Sequence, residues 1–176
     1  ENYGDRYAFV PGGRPWGRHP LLEAAIESVG VPAGMAVEID VGSVIPPGAS
    51  TGTSAAVCVA LVGALRALSG ASLGADDVAR AAHAVETEWL GQQSGLQDQL
   101  AAAHGGINYI EILDYPAARV SGLRVADVTL AALEEQLLLF YLGRTHSSTA
   151  IHEQVIRGLA DGSSPTGPSA LDALRA

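Results

Sequence analysis

Apolar residues in "PLLEAAIESVG" (20–30) recur at helical spacing, with a proline at the start and Gly30 as a stop, which predicts a helix. In "GMAVEIDVGSVI" (34–45) they alternate instead, around Val37, Ile39 and Val41, as in a half-buried strand. Residues 53–68 are almost wholly apolar and predict a helix buried on most sides. "GADDVARAAHAVETEWLG" (74–91) predicts a third helix, with Asp76 and Asp77 at its positive N-terminal end. "GQQSGLQDQLAAAHGG" (91–106) reads as a loop and then a short helix, closed by Gly105 and Gly106. "INYIEIL" (107–113) predicts a strand, and "EQLLLFYLG" (135–143) another, apolar enough to lie centrally in a sheet. "SSTAIHEQVIRGLA" (147–160) predicts a helix capped by Ser147 or Ser148, and from Asp161 a connector leads into the start of one more. Residues 1–19, rich in glycine, proline and arginine, read as a loop. Helices and strands mix without a strict βαβ rhythm, so the expected class is α+β.

Composition narrows the function. The 176 residues suffice for one domain with a sizeable core, or one domain and a fragment of another. A net charge of −9 argues against a general nucleic-acid binder, because phosphate backbones need a basic surface. A small phosphorylated ligand needs only a local pocket of donors and is not excluded. All ten basic residues are arginine, which removes Schiff-base lysine chemistry and the lysine of a Walker-type loop. Cys58 is the only cysteine, so no intrachain disulfide and no cysteine metal cluster can form; its place in an apolar run marks a core residue. No stretch is long and apolar enough for a membrane span and no signal pattern opens the chain, which makes a cytoplasmic location the default expectation. The chain opens on Glu1 rather than methionine, and a processed or excised chain is therefore one reading.

The stretch "VIPPGASTGTSAAVCVALVGAL" (44–65) carries the main chemical signal. A helix start presents several N–H groups without partners in the helix, and the macrodipole adds partial positive charge. Gly48 and Gly52 allow close backbone approach, and Thr51, Thr53 and Ser54 add hydroxyls for phosphate oxygens or a hard cation. Physical chemistry alone leaves two readings open, a well-capped helix entrance and an anion cradle.

The run from Pro46 to Ala55 resembles the "P-x-x-x-G-L-G-S-S-A" signature of the GHMP kinases (galactokinase, homoserine, mevalonate and phosphomevalonate kinases). "AAHAVETEWLG", "GLQDQLAAAHGGINYIEI" and "LLLFYLGRTHSSTAIHEQVI" follow in the family's order, and this longer pattern is most similar to the branch that phosphorylates D-glycero-D-manno-heptose 7-phosphate. The resemblance covers roughly residues 20–160. It implies a GHMP N-terminal domain of the ribosomal protein S5 domain 2-like kind, a mixed sheet with helices, over residues 1–143. Residues 144–176 would then hold a connector helix and the beginning of a C-terminal domain. The family's first strand motif and its third glycine-rich motif have no counterpart in these residues, so the chain is expected to correspond to the middle of a longer kinase. Ser50 and Thr51 stand where the family has glycine and leucine.

What the resemblance implies at each position can be set beside the chemistry. ATP and Mg²⁺ are the implied cofactors, with Pro47, Gly48, Ala49, Ser50, Thr51, Gly52, Thr53 and Ser54 wrapping the phosphates. Asp98 matches the aspartate proposed as the catalytic base; a helix start favours its ionised form, although a plain helix-entry carboxylate would look the same. Glu86 matches the glutamate that holds Mg²⁺ together with a loop hydroxyl, here Ser54 or Thr53, and magnesium needs few protein ligands. Glu88, two residues on, is expected on a solvated face. His83 and His104 are expected to pack or to lie at the surface, and the spacing of His146 and His152 speaks against zinc. Gln97 and Gln99 flank the base, and Arg144 with His146 follows a strand end. These four are the candidates for contacting a sugar phosphate, with an exposed loop charge as the other reading of Arg144. A homodimer is left open, and a non-catalytic or truncated nucleotide- or sugar-binding module of the same fold is the alternative to a kinase.

Overall fold

The computed structural model describes residues 4–45, 49–141, 153 and 155–158. Helix α1 spans Pro20–Val29, α2 Thr53–Leu68 and α3 Ala75–Ala84, which runs on into a π-helical turn at Val85–Trp89. Helix α4 spans Gln97–His104; strands β1 (Asn108–Asp114) and β2 (Ala117–Gly122) follow, and then α5 (Asp127–Gln136).

The apolar face of α2 is the centre of the main core. Cys58, Val62 and Leu65 are buried there against Ala24 and Ala25 of α1 and against Ala82 and Val85. Alanines at these contacts let the helices approach closely, and each fully buried valine or leucine contributes about 1.5–3 kcal/mol relative to exposure. Helix α3 turns its other side, through Ala79, to a second cluster with Leu96 and Leu100, on which Ile110, Ala118 and Val120 of the strands pack. Ile110 pairs with Val120 and Ile112 with Ala118 in the antiparallel ladder. The sheet thus leans on α4 and fixes the loop that precedes it.

Local signals at the helix ends behave as expected. Pro20 opens α1, and Gly30 closes it at φ +80° with its N–H on the Ile26 carbonyl. Gly105, at φ +66°, closes α4. No described helix is long and apolar enough to cross a membrane.

The class is α+β, but the sheet among the described residues has two antiparallel strands rather than a mixed set. Residues 34–45 form no ladder there, and Val37, Ile39 and Val41 are exposed. Alternation reports one-sided burial and carries no information about a pairing partner. The strand expected at 135–143 is corrected too: α5 extends through Gln136, and Leu137–Tyr141 is exposed and outside regular structure. The Ala-Leu-Glu-Glu-Gln sequence favours a helix, and a short apolar run does not discriminate between the two states. Strand β2, "AARVSG", has too little β-branched character to announce itself. The helix predicted over 74–91 is found as α3 together with the π-helical turn, Ala75–Trp89, and changes winding at Val85. Of the helix expected at 147–160, Glu153 and residues 155–158 are helical; Ser147, Ser148 and everything from Asp161 lie outside the described residues.

Candidate active site

The starts of α2 and α4 meet at one open cleft of about 1620 Å³. Ala49, Ser50, Thr51, Gly52, Thr53 and Ser54 line it from one side, and Gln97, Asp98 and Gln99 from another. Glu86 contributes to its wall. Pro47, Gly48, Arg144 and His146 lie outside the described residues.

The loop takes left-handed backbone twice, at Ser50 (φ +58°) and at Gly52 (φ +67°), the residue that caps α2. No side chain caps this helix. The same holds for the other described helices, so its open N–H groups are those that any helix start offers, and the left-handed Gly52 cap is what sets this one apart. Ser50 shows why the related pattern has glycine at that position: the conformation is one that glycine adopts without steric cost. The hydroxyls of Thr51 and Thr53 hydrogen-bond each other at 3.0 Å. Asp98 lies directly behind the loop. A Cβ built on Gly52 would stand 3.4 Å from Asp98 Cγ and 3.4 Å from its Oδ2. A side chain at residue 52 would touch the acidic start of α4, and glycine leaves the space between the loop and Asp98 open.

Glu86 sits in the π-helical turn, where the Leu90 N–H bonds the Val85 carbonyl and the Gln92 N–H bonds the Glu86 carbonyl. Such a turn re-aims side chains relative to a continuing α-helix and is common at functional sites. Glu86 is 6% exposed, whereas Glu88 is exposed as expected. Glu86 Oε2 accepts from the Gln99 amide Nε2 at 2.8 Å and from the Ser94 hydroxyl. Its charge, after burial, helps push the Cys58 thiol up to about 12. Cys58 is fully buried, with its Sγ 3.6 Å from the Ala82 carbonyl; it stays an un-ionised thiol at neutral pH, a packing group.

Glu23, which sequence reasoning did not single out, organises another wall. Its carboxylate accepts the N–H groups of Gly17 (2.7 Å), Arg18 (3.2 Å) and His19 (3.2 Å) and the Tyr7 hydroxyl (3.0 Å). Burial alone would raise its pKa; the donors of His19, Gly17, Tyr7 and Arg18 outweigh that and hold it below the usual carboxylate value. Burial, and then the bond to Glu23, pushes Tyr7 up to about 12, so it remains a neutral donor. An acidic residue four positions after the residue preceding the helix was the available signal, close to a capping box. Tyr7 and His19 line the cleft, and Asp5 bonds both His19 (3.1 Å) and Arg18. His83, expected to pack or lie at the surface, is buried and bonded to Tyr115 at 2.7 Å. His104 is exposed and pairs with Asp76 at 2.9 Å.

The donor set fits a hard divalent cation. A buried carboxylate and exposed hydroxyl oxygens share one cleft, and no group of three or more His, Cys, Asp or Glu among the described residues is placed to hold a metal. Magnesium requires no such cage, because it retains waters and phosphate oxygens.

The family model "GHMP kinases N terminal domain" matches residues 20–106, which contain the loop, the π-helical turn and α4. The chain carries a GHMP kinase N-terminal domain and belongs to that family. Among curated proteins, this GHMP chain is 30% identical over 117 residues to D-glycero-alpha-D-manno-heptose 7-phosphate kinase of Campylobacter jejuni, covering 66% of this chain and 34% of that protein. It is 38% identical over 76 residues to mevalonate kinase of Thermococcus onnurineus, 43% of this chain and 23% of that one. With the Pyrococcus horikoshii mevalonate kinase it shares 35% over 88 residues, 50% and 26% of the two chains. The chain thus spans about a third of the length of the heptose-phosphate relative and about a quarter of these mevalonate kinases. No solved structure matches it.

Proposed function

We propose that this chain holds the phosphate-binding loop and the catalytic base of an ATP-dependent small-molecule kinase whose acceptor is a sugar phosphate, a heptose 7-phosphate in the first instance. The observation that carries this reading is the place of the Asp98 carboxylate, 3.4 Å from where a Cβ on Gly52, the residue that caps α2, would stand. It sets an anion-binding backbone and a proton acceptor side by side, the two parts that phosphoryl transfer to an alcohol requires. The 30% identity to a heptose 7-phosphate kinase favours the acceptor, and the mevalonate kinases cover less of the chain.

In the mechanism, the loop from Ala49 to Ser54 and the first N–H groups of α2 receive the ATP phosphates and meet the charge that develops on them. An acceptor hydroxyl next to Asp98 gives its proton to the carboxylate as its oxygen attacks the γ-phosphorus. The new O–P bond forms while the bond to the bridging β,γ-oxygen breaks, and ADP leaves with that electron pair. Asp5, Glu38, Asp40, Glu86 and Asp98 line the cleft, so a polyanionic nucleotide needs accompanying positive charge there. Glu86, with Thr53 or Ser54, would hold Mg²⁺, which supplies charge neutralisation of the phosphate oxygens. Residues 1–143 form the ATP and acceptor domain in this reading, 144–176 lead into a second domain, and the setting is cytoplasmic.

Release of ADP by a full-length protein containing this segment tests the acceptor. Heptose 7-phosphate is expected to support turnover, and mevalonate at the same concentration to give at most a hundredth of that rate. Equal rates, or a preference for mevalonate, would overturn the assignment.

A further inference from the structure

Behind Glu86 lies a chain of hydrogen bonds that the mechanism above does not use. Both described bonds to the carboxylate, from the Ser94 hydroxyl and the Gln99 amide, end on Oε2, and no described residue bonds Oε1. Gln99 is 1% exposed, and its own Oε1 is buried without a hydrogen-bond partner. A buried amide oxygen left unpaired is costly and calls for a reason. Turning the amide over would set that oxygen against an ionised carboxylate, two acceptors face to face. The charge-assisted bond to Glu86 therefore fixes the amide in the orientation that sacrifices its oxygen.

Ser94 is fixed from its other side. The Tyr115 hydroxyl, in the turn between β1 and β2, donates to the Ser94 carbonyl at 3.0 Å. The Tyr115 hydroxyl oxygen lies 2.7 Å from His83 Nε2, and the two ring planes meet at 75° with centroids 5.6 Å apart. Each group is satisfied when His83 Nε2–H donates to the phenol and the phenol donates to the carbonyl. Burial raises the Tyr115 pKa, so the phenol keeps that proton at neutral pH. His83, at the end of α3, precedes Glu86 in the π-helical turn by three residues. The hairpin, α3 and α4 thus converge on one loop residue.

Resting on the metal reading of Glu86, we propose that Ser94 and Gln99 are positioning residues that occupy Glu86 Oε2 and present Oε1 to the cation, with Tyr115 and His83 clamping the loop that carries Ser94. Groups behind a ligand set its orientation and basicity, and their loss typically weakens metal binding by about 10–100-fold.

The test is ATP affinity by calorimetry on this chain, in Mg²⁺ and in EDTA, read as the gain that Mg²⁺ confers. The wild type is expected to gain about tenfold or more, and Glu86→Gln to lose that gain. Ser94→Ala and Gln99→Met should each lose most of it while keeping wild-type affinity in EDTA. Ser94→Thr, which restores the hydroxyl, should recover it, and Tyr115→Phe should show a smaller loss in the same direction. A full gain in Ser94→Ala and Gln99→Met, with Glu86→Gln impaired, overturns the positioning role and leaves the metal reading standing. Affinity lost equally in Mg²⁺ and EDTA means a merely structural role and overturns it as well. A full gain in Glu86→Gln removes the metal reading and this proposal together.

Discussion

Gly52→Val is expected to abolish nucleotide binding by this chain. Two effects act at once. The φ of +67° at residue 52 is one that a β-branched residue adopts only with strain, about 1–3 kcal/mol. The new Cβ would itself make only an ordinary contact with Asp98 at 3.4 Å, but the branches beyond it would take up space where a phosphate approaches the start of α2. Binding and folding are separable here because Gly30 supplies a control. It has φ +80° and nothing within 4 Å of an added Cβ. Gly30→Val should lower stability by a similar backbone term, read as the denaturant midpoint, and leave ATP affinity unchanged. Equal ATP affinity of Gly52→Val and wild type, by calorimetry, would show that the loop does not cradle the phosphates.

Asp98→Asn should retain ATP and acceptor binding and lose most turnover in a full-length protein containing this segment. The amide is nearly isosteric and still hydrogen-bonds, so the packing beside Gly52 is kept. It cannot take the proton of the attacking hydroxyl. General-base assistance contributes about 10²–10⁴-fold, so kcat is expected to fall by that order with little change in KM. A loss confined to KM would make Asp98 a binding group only, and unchanged kinetics would remove it from the chemistry.

The helices and the loop were legible in the sequence because their signals are local. Pro20 and Gly30 bound α1 by backbone chemistry and Gly105 ends α4, whereas α2, expected to be buried on most sides, buries one face and leaves Ala56, Ala60, Ala64 and Ala67 exposed. The positions that the resemblance picked out, from Ala49 to Ser54 with Glu86 and Asp98, do line one cleft. What escaped depends on partners distant in sequence. Val37, Ile39 and Val41 alternate correctly without a described ladder partner, and Leu137–Tyr141 is apolar enough for a strand yet follows a helix. Ser94 stands between Gln93 and Gly95 in a loop with no periodicity, and its importance arises only when a π-helical turn and a hairpin turn reach it. His83 is a buried polar residue whose partners come from other segments, and Glu23 adds the distant Tyr7 to three local donors. A linear pattern records which residues are apolar and leaves unrecorded which polar group a buried carboxylate will meet.

The claim that the starts of α2 and α4 form a polyphosphate site is tested most directly by nuclear magnetic resonance on this 18.0 kDa chain. Backbone amide shifts are followed while ATP, ADP and adenosine are titrated in the presence of Mg²⁺. The prediction is that residues 49–55 and 97–99 shift together, most with ATP, less with ADP and not with adenosine. Shifts of equal size with adenosine, shifts centred elsewhere, or none at millimolar ATP would contradict it.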